Sequence, residues 1–80
     1  MNIKAIKKIA NKISKSYGMP EPIVEKKNAC EDGSGYDGIE IRSELPSYEG
    51  GSELQDAITK QYSDCVVENF GGCVYFVYKP

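Results

Sequence analysis

The segment CVVENFGGCVYFVY, residues 65–78, constrains this 80-residue chain more than any other stretch. It is the densest run of β-branched and aromatic side chains, and only Gly71-Gly72 interrupts it. Glycine reaches the positive φ of a tight primed turn without steric cost, so the pattern predicts a β-hairpin. A lone hairpin is marginal in water, and the remaining residues must supply partner strands and a covering layer. With a two-residue turn, Phe70 faces Cys73, Glu68 faces Tyr75 and Val66 faces Val77, and these six share one face. Cys65, Val67, Asn69, Val74, Phe76 and Tyr78 share the other. Both faces are then largely apolar, which requires cover on both sides or an aromatic surface left to a partner. A glycine bulge at Gly72 would slip the register by one residue and exchange the two faces of one strand.

The rest of the chain supplies the missing layers. Residues 2–17 predict an amphipathic helix: Ile3, Ile6, Ile9, Ala10, Ile13 and Tyr17 fall within about 100° of arc, with five lysines opposite them. Asn2 is the expected N-cap, and Gly18 followed by Pro20 the stop. Residues 23–30 and 38–44 predict two strands joined by the acidic, glycine-rich EDGSGYD loop. Residues 52–63 predict a second helix, with Ser52 and Gln55 as a capping box and Glu53 and Asp56 near the positive end of the dipole. Leu54, Ala57, Ile58 and Tyr62 form its apolar stripe. Strands at 65–70 and 73–79 complete an α-β-β-α-β-β order within one domain, residues 1–80. The expected fold is α+β, a four-stranded antiparallel sheet with two helices packed on one face. Tyr17-Gly18 through Ile23-Val24-Glu25 is similar to Tyr62-Ser63 through Val66-Val67-Glu68, which suggests two αββ halves.

Composition narrows the chemistry. The chain has no histidine, so the usual general base and the commonest metal ligand are both missing. Nothing in the sequence sets a cation beside Cys30, Cys65 or Cys73 to activate a thiolate. An odd cysteine count without a CxxC pair predicts no disulfide. Asp32, Ser34 and Tyr36 match early ligand positions of an EF-hand-like loop, but Asp37 stands where glycine belongs and Ser43 where glutamate belongs. No phosphate-binding glycine pattern follows a strand into a helix. The expectation is a non-enzymatic protein without cofactor or metal. No apolar run reaches membrane-spanning length, and the lysine-rich N-terminus lacks the apolar core of a signal peptide, so a cytoplasmic protein is expected.

Charge is the sharpest functional signal. Residues 1–17 carry five lysines and no acid; the remainder carries five basic and twelve acidic groups, so +5 and −7 give the net −2. A basic helix face and an acidic remainder follow. Tyrosine mixed with carboxylates suits a protein-binding surface, because a rigid amphipathic ring gives contact area at low entropy cost. The expected contact residues are Glu31, Asp32, Tyr36, Asp37, Glu40, Tyr48, Glu49 and Tyr75, together with the hairpin's exposed aromatics such as Tyr78. The expected partner is a larger protein, or a protein–nucleic acid complex, with a basic surface. Small acidic domains without catalytic residues are typical of phage- or mobile-element-encoded inhibitors, anti-CRISPR proteins among them; that analogy is one of size and charge. An alternative is a nucleic-acid-binding module using Lys4, Lys8, Lys12 and Lys15. A third is a homodimer joined through the hairpin's edge strand.

Overall fold

The first helix, α1 (Ile3–Ser16), starts where the sequence provides a cap: the Asn2 Oδ1 accepts a hydrogen bond from the Lys4 backbone N–H at 2.8 Å. Its end is a Schellman turn, with Gly18 at φ 68° donating to the Lys15 carbonyl and Met19 donating to the Ser14 carbonyl at 2.9 Å. A computed structural model describes residues 2–28, 35–46, 49–71 and 73–80. After α1 come β1 (Ile23–Lys27), β2 (Gly38–Arg42), α2 (Gly50–Gln61), β3 (Val66–Asn69) and β4 (Val74–Tyr78). The strands form one antiparallel sheet in the order β1-β2-β4-β3. The α+β fold and its element order are therefore those expected from the sequence.

Both helices cover the same face of the sheet. Ile6, Ala10, Ile13, Leu54 and Ile58 pack with Ile39, Ile41, Val67, Tyr75 and Val77 in a single cluster. Each fully buried aliphatic side chain there stabilises the fold by roughly 2 kcal/mol. Ser14 and Ser43 are the buried polar residues at this level, and their hydroxyls lie 3.3 Å apart, tying α1 to the segment after β2.

Strand pairing is unchanged when the two αββ halves are exchanged. The pair Glu40↔Phe76 maps onto itself, β1 takes the place of β3, and Glu25 falls where Glu68 was. Tyr17 and Tyr62 cap the two helices equivalently. The short likeness between Ile23-Val24-Glu25 and Val66-Val67-Glu68 thus coincides with equivalent positions in the sheet.

Two local points are decided by the structure. The C-terminal hairpin does not have a two-residue turn: Val66 pairs with Tyr78, Val67 with Val77, Glu68 with Phe76 and Asn69 with Tyr75. Phe70 N–H donates to the Val74 carbonyl at 2.9 Å, and the Asn69 side chain accepts from Gly71 N–H at 2.8 Å, with Gly71 at φ 98°. The connection between Phe70 and Val74 is one residue longer than a two-residue turn, so of the two registers open to the glycine pair the slipped one is taken, and the faces of one strand are exchanged. The slip is favourable, because it sets Val67 beside Val77 under the helices and turns Glu68 away from them.

A correction concerns α2, which begins at Gly50 rather than Ser52. Its N-cap is Glu49, with no side-chain cap, and the Gln55 amide donates instead to the Val67 carbonyl at 3.0 Å. Two glycines in a first turn cost roughly 1 kcal/mol each in helix propensity. Packing explains them: a Cβ on Gly51 would collide with the Tyr75 hydroxyl, and one on Gly50 would lie 2.7 Å from Leu45 Cδ2. No capping pattern in the sequence could reveal a start set by such close approach.

Candidate functional site

The face of the sheet away from the helices carries the candidate site. One row across the four strands reads Glu25, Glu40, Phe76, Glu68. Along the sheet runs a ladder of rings: Tyr36 stacks on Tyr78 at 4.7 Å between centroids, Tyr78 on Phe76 at 5.5 Å and Phe76 on Phe70 at 6.0 Å. Phe76 is sealed between its neighbours at 1% exposure, whereas Phe70 is 53% and Tyr36 41% exposed. The sealed ring fits because β2 offers Gly38 beneath it, where a Cβ would lie 2.5 Å from Phe76 Cζ. Ile23 and Val66, both exposed, extend the apolar surface to the two edges.

Hydrogen bonds fix the polar groups of this face. The Tyr78 hydroxyl donates to Glu68 Oε1 at 2.7 Å, and the carboxylate raises the phenol above its ordinary range. Arg42 Nε donates to Glu40 Oε1 at 2.7 Å, which raises the guanidinium pKa, and Lys27 lies 3.3 Å from Glu25. The result is an aromatic platform interleaved with carboxylates, two of which, Glu25 and Glu40, are paired with Lys27 and Arg42 on the same face. A guanidinium or ammonium group can lie over such a ring and meet an adjacent carboxylate at once.

The expected contact residues are placed unequally. Tyr36, stacked on Tyr78, and Glu40 belong to this face, the first exposed and Glu40 partly covered, whereas Asp37 is exposed at the start of β2, beside Lys26 and Lys27. Glu49 is exposed but caps α2, near Tyr17 in the helical layer, and so stands apart from the platform. Tyr75 is a correction: it is 2% exposed and faces the helices, because the register slip turned it inward. Its hydroxyl has no hydrogen-bond partner among the described residues, and burial pushes the phenol pKa up. Glu31, Asp32 and Tyr48 lie outside the described residues. Sequence reasoning missed Phe70, Phe76, Glu25 and Glu68; the bulged register would have shown Phe70, Phe76 and Glu68 on one face.

The remaining expectations fall on the other layer. Lys4, Lys8, Lys12 and Lys15 are exposed on α1. The helices run antiparallel, with Tyr17 beside Glu53 at one end and Lys8 near Gln61 at the other. Cys65 is buried and Cys73 exposed, and neither is in a disulfide; Cys30 lies outside the described residues. Burial, with help from the Asp64 carboxylate, raises the Cys65 thiol pKa, which works against a reactive thiolate. At the hairpin's free edge, the Gln55 amide already occupies the outward-facing Val67 carbonyl, a group that strand pairing with a second copy would need.

Protein-family models, curated proteins and solved structures contain no match to this chain. Among the described residues, no helix is long and apolar enough to cross a membrane, and no three acidic or cysteine side chains converge where a metal ion could sit.

Proposed function

We propose that this chain is a protein-binding domain that covers a basic surface of a larger partner with the open face of its sheet. The observation that supports this most directly is the Tyr36–Tyr78–Phe76–Phe70 ladder, exposed at both ends and bordered by Glu25, Glu40 and Glu68. Pre-stacked rings lose little freedom on binding, and aromatic anchors carry a large share of interface energy. The carboxylates select a basic partner and speed its approach. A domain of this kind acts by occlusion, in the manner of small stoichiometric inhibitors, including those that phages direct against host defences.

A photo-crosslinking residue at position 70 in the full chain, followed by mass spectrometry, captures the partner. Phe70→Ala is expected to weaken its binding about tenfold or more, and Glu25→Lys with Asp37→Lys to slow association and flatten the salt dependence. A captured partner whose affinity is untouched by all three substitutions would show that another surface makes the contact.

A further inference from the structure

A second surface lies on the opposite side of the molecule and does not depend on the sheet-face reading. α1 and α2 leave a groove of about 420 Å³ between them, with Ile9, Ile13 and Ala57 as its floor. Lys12 and Lys60 rise on opposite rims, one from each helix, and Lys8 continues the α1 rim where the groove runs on past Gln61. We propose that this groove docks an acidic amphipathic helix of a partner protein.

The pattern of the groove chooses the occupant. An apolar strip flanked on both sides by cations is the complement of an apolar helix stripe flanked by carboxylates. A nucleic-acid backbone would use the lysines but has no use for the Ile9–Ile13–Ala57 floor; Glu53 at one end repels any anionic occupant and confines the basic stretch to Lys8, Lys12 and Lys60. Only α1 announces itself in the sequence as basic. Folding adds Lys60 from the otherwise acidic half, and that turns a charged helix face into a two-sided channel.

The test uses the full chain, isotope-labelled, and a capped synthetic peptide of about 16 residues, roughly 24 Å of helix and long enough to run along α1. The peptide carries leucine at helical i, i+3, i+4 and i+7 spacing with glutamates on either flank. A scrambled peptide of the same composition and a short DNA duplex serve as comparison probes. The expected result is a saturable shift of the Ile9, Ile13, Ala57 and Gln61 amide signals with the amphipathic peptide and a much weaker one with the scrambled peptide. Lys8→Glu with Lys60→Glu should weaken binding about tenfold, and both positions are exposed, so the fold survives the exchange. Ala57→Glu, which charges the floor instead of the rims, should also abolish the shift in a chain whose circular dichroism is unchanged. Absence of saturable shifts at these amides overturns the proposal. So does equal binding of the scrambled peptide, or duplex DNA producing the same shifts with greater affinity, since either outcome makes the groove a plain polyanion site.

Discussion

The two faces of the sheet share the same four strands yet are stabilised differently. Toward the helices, Ile39, Ile41, Val67, Tyr75 and Val77 are all buried and meet side chains from two other elements. Away from them, order comes from ring stacking and from the Tyr78–Glu68 and Arg42–Glu40 hydrogen bonds, and among the described residues only Phe76 is fully sealed. The first face holds the molecule together, and the second is arranged but left open. The difference teaches that an aromatic strand need not be a core strand. In β4, alternate residues serve the core and the surface, and a one-residue change of register decides which residues do which.

The largest effects should come from the helix-facing side. Leu54→Ala or Ile58→Ala should each cost about 3 kcal/mol, read from urea unfolding, because each empties a site that is fully buried. Phe70→Ala, exposed on the other face, should lower stability by well under 1 kcal/mol while weakening partner binding. Similar stability losses for the two kinds of substitution would erase the contrast between the faces. Phe76→Ala sharpens it: as the one sealed ring on the open side it should cost about 3 kcal/mol, like a core residue.

Next in size is the contact between Tyr75 and the start of α2. Gly51→Ala should destabilise by about 1–3 kcal/mol through collision with the Tyr75 hydroxyl. Tyr75→Phe removes a buried hydroxyl without a partner among the described residues, so it should be neutral or stabilising. Combining the two should recover much of the Gly51→Ala loss, a non-additivity measurable in a double-mutant cycle.

Smaller effects appear as pH dependence. Tyr17, Tyr75 and Tyr78 all have phenol pKa values raised above 10.0: Tyr17 chiefly by a hydrogen bond to Glu53, Tyr75 by burial and Tyr78 by its bond to Glu68. A raised folded-state pKa favours the protonated form, so this stability is complete below the unfolded value and is lost as pH climbs through the folded values. Urea midpoints should therefore hold steady from neutral pH and fall beyond about pH 10. Tyr75→Phe should blunt the fall. The least effect belongs to Asp64, whose carboxyl is held below 3.8, first by its hydrogen bond to Lys79. That contribution is present above the unfolded pKa and disappears as pH drops through the folded one. Lys79→Met should bring the Asp64 midpoint back toward 3.8 in an NMR titration while barely moving the urea midpoint.

Much of the architecture was legible because local signals agreed. Asn2, the isoleucine stripe, Gly18 and the alternation in Ile39-Glu40-Ile41-Arg42 each name one conformation, and no tertiary contact overrides them. The misread places are those where distant residues decide. Ser52 and Gln55 have the spacing of a capping box, but Tyr75 and Leu45 reward an earlier, glycine-built start, and Gln55 is drawn to β3. Gly71-Gly72 is compatible with two turn lengths, and Asn69 with the needs of the core selects the longer. The candidate site was only half legible for the same reason. A two-residue turn sets Tyr75 on the face of Phe70 and Glu68 and Phe76 on the other, and the longer connection exchanges Tyr75 for Phe76, whereas Glu40 depends on the clean alternation of β2, which turns it away from the buried isoleucines.

Cross-saturation NMR of the labelled chain bound to the partner captured through position 70 reads the contact surface directly. Signal loss is predicted at Tyr36, Val66, Phe70 and Tyr78, with Leu54 and Ile58 unaffected. Loss confined to α1 and α2, with the aromatic ladder untouched, would contradict the assignment of the open sheet face as the surface that meets the basic partner.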